Sequence, residues 1–151
     1  MENWINVIDE SDIQKLQNEY HGFHDTCISS YYFECGNCTT DDGTMMFSEP
    51  KQYELHIFFQ GQWKPRKIEL CFTGVRRFHF VGLQDNYLPD IFDSYIAFHE
   101  DILPHGHMAS KRVIVWADWA DFRIDNISNE LEEPATTYVI ADSLKWRIME
   151  E

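Results

Sequence analysis

With 151 residues, 44% of them hydrophobic and 15% aromatic, the chain has the length of one domain and enough apolar side chains to bury a core without disulfide or metal staples. Its formal net charge of -14, from 26 acidic against 12 basic residues, repels nucleic-acid phosphates and anionic membranes and attracts basic partners. No window approaches the roughly 18 apolar residues of a membrane span, and the first residues have neither the basic start nor the apolar run of an export signal, so a cytoplasmic location with four reduced cysteines is expected.

Ser11-Asp12-Ile13-Gln14 has the form of a capping box, which predicts a short helix from about Asp12 to Tyr20 with Ile13, Leu16 and Gln17 on one side. From Cys27 to Glu34 the run Ile28-Ser29-Ser30-Tyr31-Tyr32-Phe33 suits a pleated strand. Gly36 to Gly43 is turn-forming, and a second short strand is expected near Thr44 to Phe47. Tyr53, Leu55, Ile57 and Phe59 alternate with Glu54, His56 and Gln60, the period of a half-buried strand that ends at Gly61-Gln62-Trp63-Lys64-Pro65. Ile68, Leu70 and Phe72 repeat the pattern, and after Gly74 the phase restarts with Phe78 and Phe80. Three successive strands and an antiparallel meander follow from this. Cys71, inside the apolar run, is expected in the core.

Leu83 to His99 fits either a helical stripe or a strand, and strand is the preferred reading. Loops are expected at Leu103 to Met108 and at Asn126 to Pro134. Val113-Ile114-Val115-Trp116 is apolar at every position and suits a central strand covered on both faces. Thr137 to Ala141, then Leu144, Trp146 and Ile148, close the chain in the same style. The whole reads as one domain over 1–151 of α+β class: β-rich, mainly antiparallel sheet arranged as a meander, sandwich or half-barrel, with a short N-terminal helix.

His21, His24, Cys35 and Cys38 are residue types that tetrahedral zinc uses, which makes a small zinc hydrolase or sensor domain the alternative functional reading. A continuous strand over residues 27 to 34 would separate Cys27 from Cys35 by roughly 26 Å at 3.3 Å per residue, too far for one ion. Asp41 and Asp42 after Cys38 oppose thiolate activation. His24 and Asp25, adjacent in an extended segment, should point to opposite faces and fail to meet. No nucleophile elbow, Walker motif or dinucleotide fingerprint is present, so no cofactor is called for. Lys64, Arg66, Lys67, Arg76 and Arg77 with Trp63, Phe78 and Phe80 have the composition of a single-strand nucleic-acid binder. The net charge argues against that partner.

Phe23-His24-Asp25, Glu69-Leu70-Cys71-Phe72-Thr73-Gly74-Val75 and Val81-Gly82-Leu83-Gln84-Asp85-Asn86 resemble, in order and approximate spacing over about residues 20 to 98, a family of bacterial polymorphic-toxin immunity proteins. Members of that family enter the first strand on Phe-His-Asp and carry a later Phe-x-Gly-Val strand. The resemblance implies a non-enzymatic cytoplasmic antidote that binds and blocks a cognate toxin. For a basic toxin domain, the acidic surface would raise on-rate and selectivity. Candidate contact residues in or beside the expected loops are Asp41, Asp42, Asp85, Asp90, Asp93, Glu130, Glu132 and Glu133.

Overall fold

The computed structural model describes residues 3–81, 89–102, 112–127 and 136–149. Its strands are β1 (Ile5–Val7), β2 (Thr26–Glu34), β3 (Cys38–Thr39), β4 (Met45–Met46), β5 (Glu54–Gly61), β6 (Lys67–His79), β7 (Tyr95–Glu100), β8 (Arg112–Ala117) and β9 (Tyr138–Ile148). One helix, α1 (Glu10–Glu19), lies between β1 and β2. The principal sheet runs β2-β5-β6-β9-β8-β7, with β1 beside the second half of β9, and all these pairings are antiparallel. β3 and β4 form a separate two-stranded ribbon. The expected β-rich α+β class is the observed one, in the meander arrangement: β2, β5 and β6 follow one another, and the last strand inserts between β6 and β8. None of the described helices is long and apolar enough to cross a membrane.

The helix starts two residues before the expected point. Asp9, not Ser11, is the N-cap: its carboxylate accepts from Asp12 N at 3.0 Å, while the Asp12 carboxylate accepts from Asp9 N at 3.3 Å and Ile8 N at 3.0 Å. A carboxylate at this position also faces the positive end of the helix dipole, which a serine hydroxyl does not exploit. Ile13 and Leu16 are buried as the spacing requires. They pack with Tyr20 and Phe23 against Leu55, Ile57, Phe59, Ile68, Leu70, Phe72, Leu144 and Trp146. Each such side chain stabilises the fold by about 1.5–3 kcal/mol.

The expected strands before and after Gly74 are one strand, β6, bent in its middle. Ile68, Leu70 and Phe72 enter the core on even numbers and Val75 on an odd one. On the paired β9, Leu144 and Trp146 give way to Ala141 and Val139 at the same level. Both strands therefore change face together, which preserves the ladder. Gly74 takes φ +70, and a Cβ there would lie 2.3 Å from Asp142 Oδ2, so glycine is required at this crossing. Asp142 is held by Arg76, with Nη2 to Oδ2 at 2.8 Å.

β8 is buried from Val113 to Ala117, as its unbroken apolar run predicts. Ile114 and Trp116 join the α1 side. Val113, Val115 and Ala117 join a second cluster with Phe122, Tyr138 and Ile140. The ambiguous segment is strand where it is described from Tyr95 to Glu100. Residues 82–88 fall outside the described residues, as do 103–111 and 128–135, which contain most of the two expected loops.

Candidate functional site

Four of the predicted acidic contacts are among the described residues, and they lie in two groups. Asp41 and Asp42 sit in the loop of the β3–β4 ribbon, which follows β2. The Thr40 hydroxyl donates to the Asp42 carboxylate, and Thr44 N donates to it at 3.1 Å. These bonds, those from the Thr40 and Thr44 side chains first, hold the Asp42 carboxyl down to about 2. Asp90 is exposed and Asp93 half-buried, beside the opposite end of β2, where Ile91 bridges Thr26. Asp85, Glu130, Glu132 and Glu133 lie outside the described residues.

Between the two acidic groups runs the outer edge of the sheet. β2 hydrogen-bonds to β5 on one side, and from Ser29 to Glu34 it is exposed. Tyr31 and Phe33 stand on the core face of the strand, opposite Ile57 and Leu55, but beyond the reach of α1. They gather a platform of five rings: Tyr31 stacks on Phe80 at 3.9 Å, Phe33 meets Phe78 at 5.4 Å and Tyr53 at 5.8 Å, and Phe78 meets Phe80 at 5.7 Å. Tyr31 and Phe33 keep 51% and 42% of their surface exposed. Met45, Met46 and Phe47 of the neighbouring ribbon are exposed as well. The ribbon is tied to the end of β2 by the Ser48 hydroxyl on Cys35 O and by Ser48 N on Asn37 Oδ1 at 2.9 Å. A shallow cavity of about 300 Å³ opens beside the platform between Phe33, Tyr53, Phe78 and Arg76–Arg77.

The other face of β5 and β6 holds a buried polar cluster that the alternation pattern assigned to solvent. Antiparallel register sets Tyr32, His56, Cys71 and Lys145 in one cross-strand row, with Phe58, Glu69 and Arg147 in a neighbouring row. His56 is buried and Glu69 is 1% exposed, which corrects their expected place on an outer face. Nδ1 of His56 lies 2.6 Å from Glu69 Oε2, and Arg147 Nε donates to Glu69 Oε1 at 2.8 Å. On the other side of the ring, Nε2 lies 3.2 Å from Glu54 Oε2 and 3.6 Å from Cys71 Sγ. Tyr32 stacks on the imidazole at 4.4 Å, and Trp4 approaches its edge while receiving Lys145 and Arg147 on its own ring. Among the described residues, the covering groups are side chains of strands and of the N-terminal segment.

Cysteine, histidine and glutamate in this order mimic a nucleophile, base and orienter. Two observations oppose that chemistry. Cys71 is fully buried, so no substrate carbon can reach Sγ, and burial, with the Glu54 carboxylate adding to it, pushes the thiol up to about 11. Cys71 is thus inside, as expected, but among polar groups rather than in the apolar core.

The zinc alternative is split by the fold. His21 and His24 precede the nine-residue β2 and Cys35 and Cys38 follow it, so the strand holds the pairs apart. His21 Nε2 lies 3.2 Å from Lys64 O, and His24 Nδ1 lies 2.7 Å from Phe92 O. His24 Nε2 does approach Asp25 Oδ2, at 3.3 Å, contrary to the sequence expectation. The segment is not extended: His21, Phe23 and Asp25 all have positive φ, which swings successive side chains to the same side. Among the described residues, one group of three or more His, Cys, Asp or Glu side chains brings its ligand atoms within 4.8 Å of one another, and it is Glu54, His56 and Cys71.

The signal for that group was present in the chain. Gly61 N donates to Arg66 O at 2.8 Å and closes the turn, and counting outward from this pair sets His56 opposite Cys71. No protein-family model, curated protein or solved structure matches the chain.

Proposed function

We propose that the protein is a non-enzymatic binding protein of the immunity type, which neutralises a cognate basic bacterial toxin through the β2 edge and the β3–β4 ribbon. The observation that carries the reading is the half-exposed platform of Tyr31, Phe33 and Phe78 beside an edge strand, with the exposed Asp41 and Asp42 in the ribbon that follows that strand. Rigid aromatic anchors surrounded by charge are the anatomy of a protein-binding hot spot. The net charge of -14 commits the partner to a basic surface, such as the cleft of an enzyme that attracts phosphate. The resemblance over residues 20 to 98 supports the same reading, as does the burial of Cys71, which takes the His56–Cys71 pair out of use as base and nucleophile.

Co-expression with a basic toxin domain encoded beside this chain's gene tests it, and a gene neighbourhood that encodes no toxin would count against the reading. The wild-type chain should restore growth. The double variant Tyr31→Ala/Phe78→Ala should fail to do so while remaining folded, because each is already a third or more exposed. Asp41→Lys/Asp42→Lys should slow association about tenfold or more at low salt, with less effect at high salt. Growth protection that is indifferent to the aromatic pair would remove this surface from the account.

A further inference from the structure

The imidazole of His56 faces a carboxylate at each nitrogen. Glu69, itself anchored by Arg147, lies 2.6 Å from Nδ1, a contact that leaves Nε2 as the nitrogen able to ligate an ion. Nε2 lies 3.2 Å from Glu54 Oε2 and 3.6 Å from Cys71 Sγ, and the three ligand atoms all lie within 4.8 Å of one another.

We propose that Glu54, His56 and Cys71 form a binding site for one divalent cation of the Zn2+ class, seated between Glu54 Oε2, His56 Nε2 and Cys71 Sγ. Tetrahedral zinc with ordinary bond lengths sets N and S about 3.6 Å apart and N and O about 3.3–3.4 Å apart. The observed 3.6 and 3.2 Å match these two edges, and the third, from Glu54 to Cys71, is within 4.8 Å. The Glu69–His56 contact is the outer-shell carboxylate that zinc-bound histidines use to hold the ring and raise its basicity. Binding replaces the thiol proton of Cys71 with the ion, so the sulfur becomes a thiolate neutralised where it stands. Lys145, opposite Cys71 in register, has its ammonium 4.6 Å from the centroid of the Trp4 ring. The Glu54 side chain is 36% exposed and marks the path by which the ion enters. Three protein ligands leave a fourth position for water or for an atom of a partner.

The site stands independently of the toxin-binding reading, and its residues are distinct from the His21, His24, Cys35 and Cys38 set. The test is titration of untagged, chelator-stripped protein with Co2+ alone, followed by competition with Zn2+. One equivalent should bind with a near-ultraviolet thiolate-to-cobalt charge-transfer band and strong tetrahedral visible bands, both abolished by Zn2+. Cys71→Ser should lose the charge-transfer band, Cys38→Ser should retain it, and Glu69→Gln should weaken affinity about 10–100-fold. Absence of the thiolate band in wild-type protein of intact near-ultraviolet dichroism overturns the proposal, and so does a band that survives Cys71→Ser. Should Cys71→Ser fail to fold, the imidazole 15N resonances of wild-type His56 decide: a large shift of Nε2 with one equivalent of Zn2+ supports the site, and unchanged resonances overturn it.

Discussion

The two faces of β5 and β6 are buried by different physics. On one, Leu55, Ile57, Phe59, Ile68, Leu70 and Phe72 lie under α1, and almost any well-packed apolar set would do the same work. On the other, His56, Glu69 and Cys71 are also buried, and among the described residues they lie under Tyr32, Trp4 and Arg147 and under no helix. A buried carboxylate is tolerated there because Arg147 and His56 both contact it. The first face tolerates substitution within its chemistry, whereas the second depends on particular partners.

Substitutions on the two faces should separate accordingly. Phe72→Ala, which empties a fully buried ring site, should cost about 3–5 kcal/mol in denaturant unfolding. Glu69→Ala should cost about 2–3 kcal/mol, less than a wholly buried pair because the Arg147 side chain is 24% exposed. A triple change of His56, Glu69 and Arg147 to apolar residues of similar volume should recover most of that loss. If instead the triple variant is much less stable than Glu69→Ala, the contrast between the faces fails. Asp9→Ala, which removes the helix cap and touches neither face, should cost about 1 kcal/mol.

The smallest effect concerns pH. His99 on β7 is shifted down from its ordinary value by burial, and Tyr95 Oη lies 2.6 Å from its Nε2, a contact that suits a neutral ring accepting the phenol proton. A base with a lowered folded pKa contributes stability that is complete above its unfolded value, about 6.5, and is lost as pH falls toward the folded one. Melting temperature should therefore decline between about pH 7 and pH 5, and His99→Gln should flatten that slope.

Much of the fold is legible in the chain because apolar periodicity reports burial directly. The strand at Leu55–Phe59, the doubly covered Val113–Trp116 and the phase change at Gly74 all follow from it. Two features were misplaced because periodicity is blind to their causes. The helix start was set by a carboxylate two residues upstream of the serine that fits the motif, and His24 meets Asp25 through left-handed backbone that composition does not disclose. The polar cluster was misread for a further reason. Alternation assumes that a polar residue on the second face meets water, yet Glu69 and His56 satisfy each other across strands. Only the turn at Gly61–Arg66, read as a register rule, reveals that pairing. The aromatic edge is a case of the opposite kind: Tyr31, Phe33 and Phe78 have the period of core residues, and the limited length of α1 leaves them outside.

Docking of a basic toxin on this edge, as proposed, would cover β2 and the β3–β4 ribbon. Amide hydrogen exchange of the protein alone and with the purified toxin domain tests it most directly. The account predicts added protection across residues 29–47 and 76–81, weakened by Tyr31→Ala/Phe78→Ala. Protection confined to α1 or to β7 and β8, with the β2 edge exchanging as in the free protein, would contradict it.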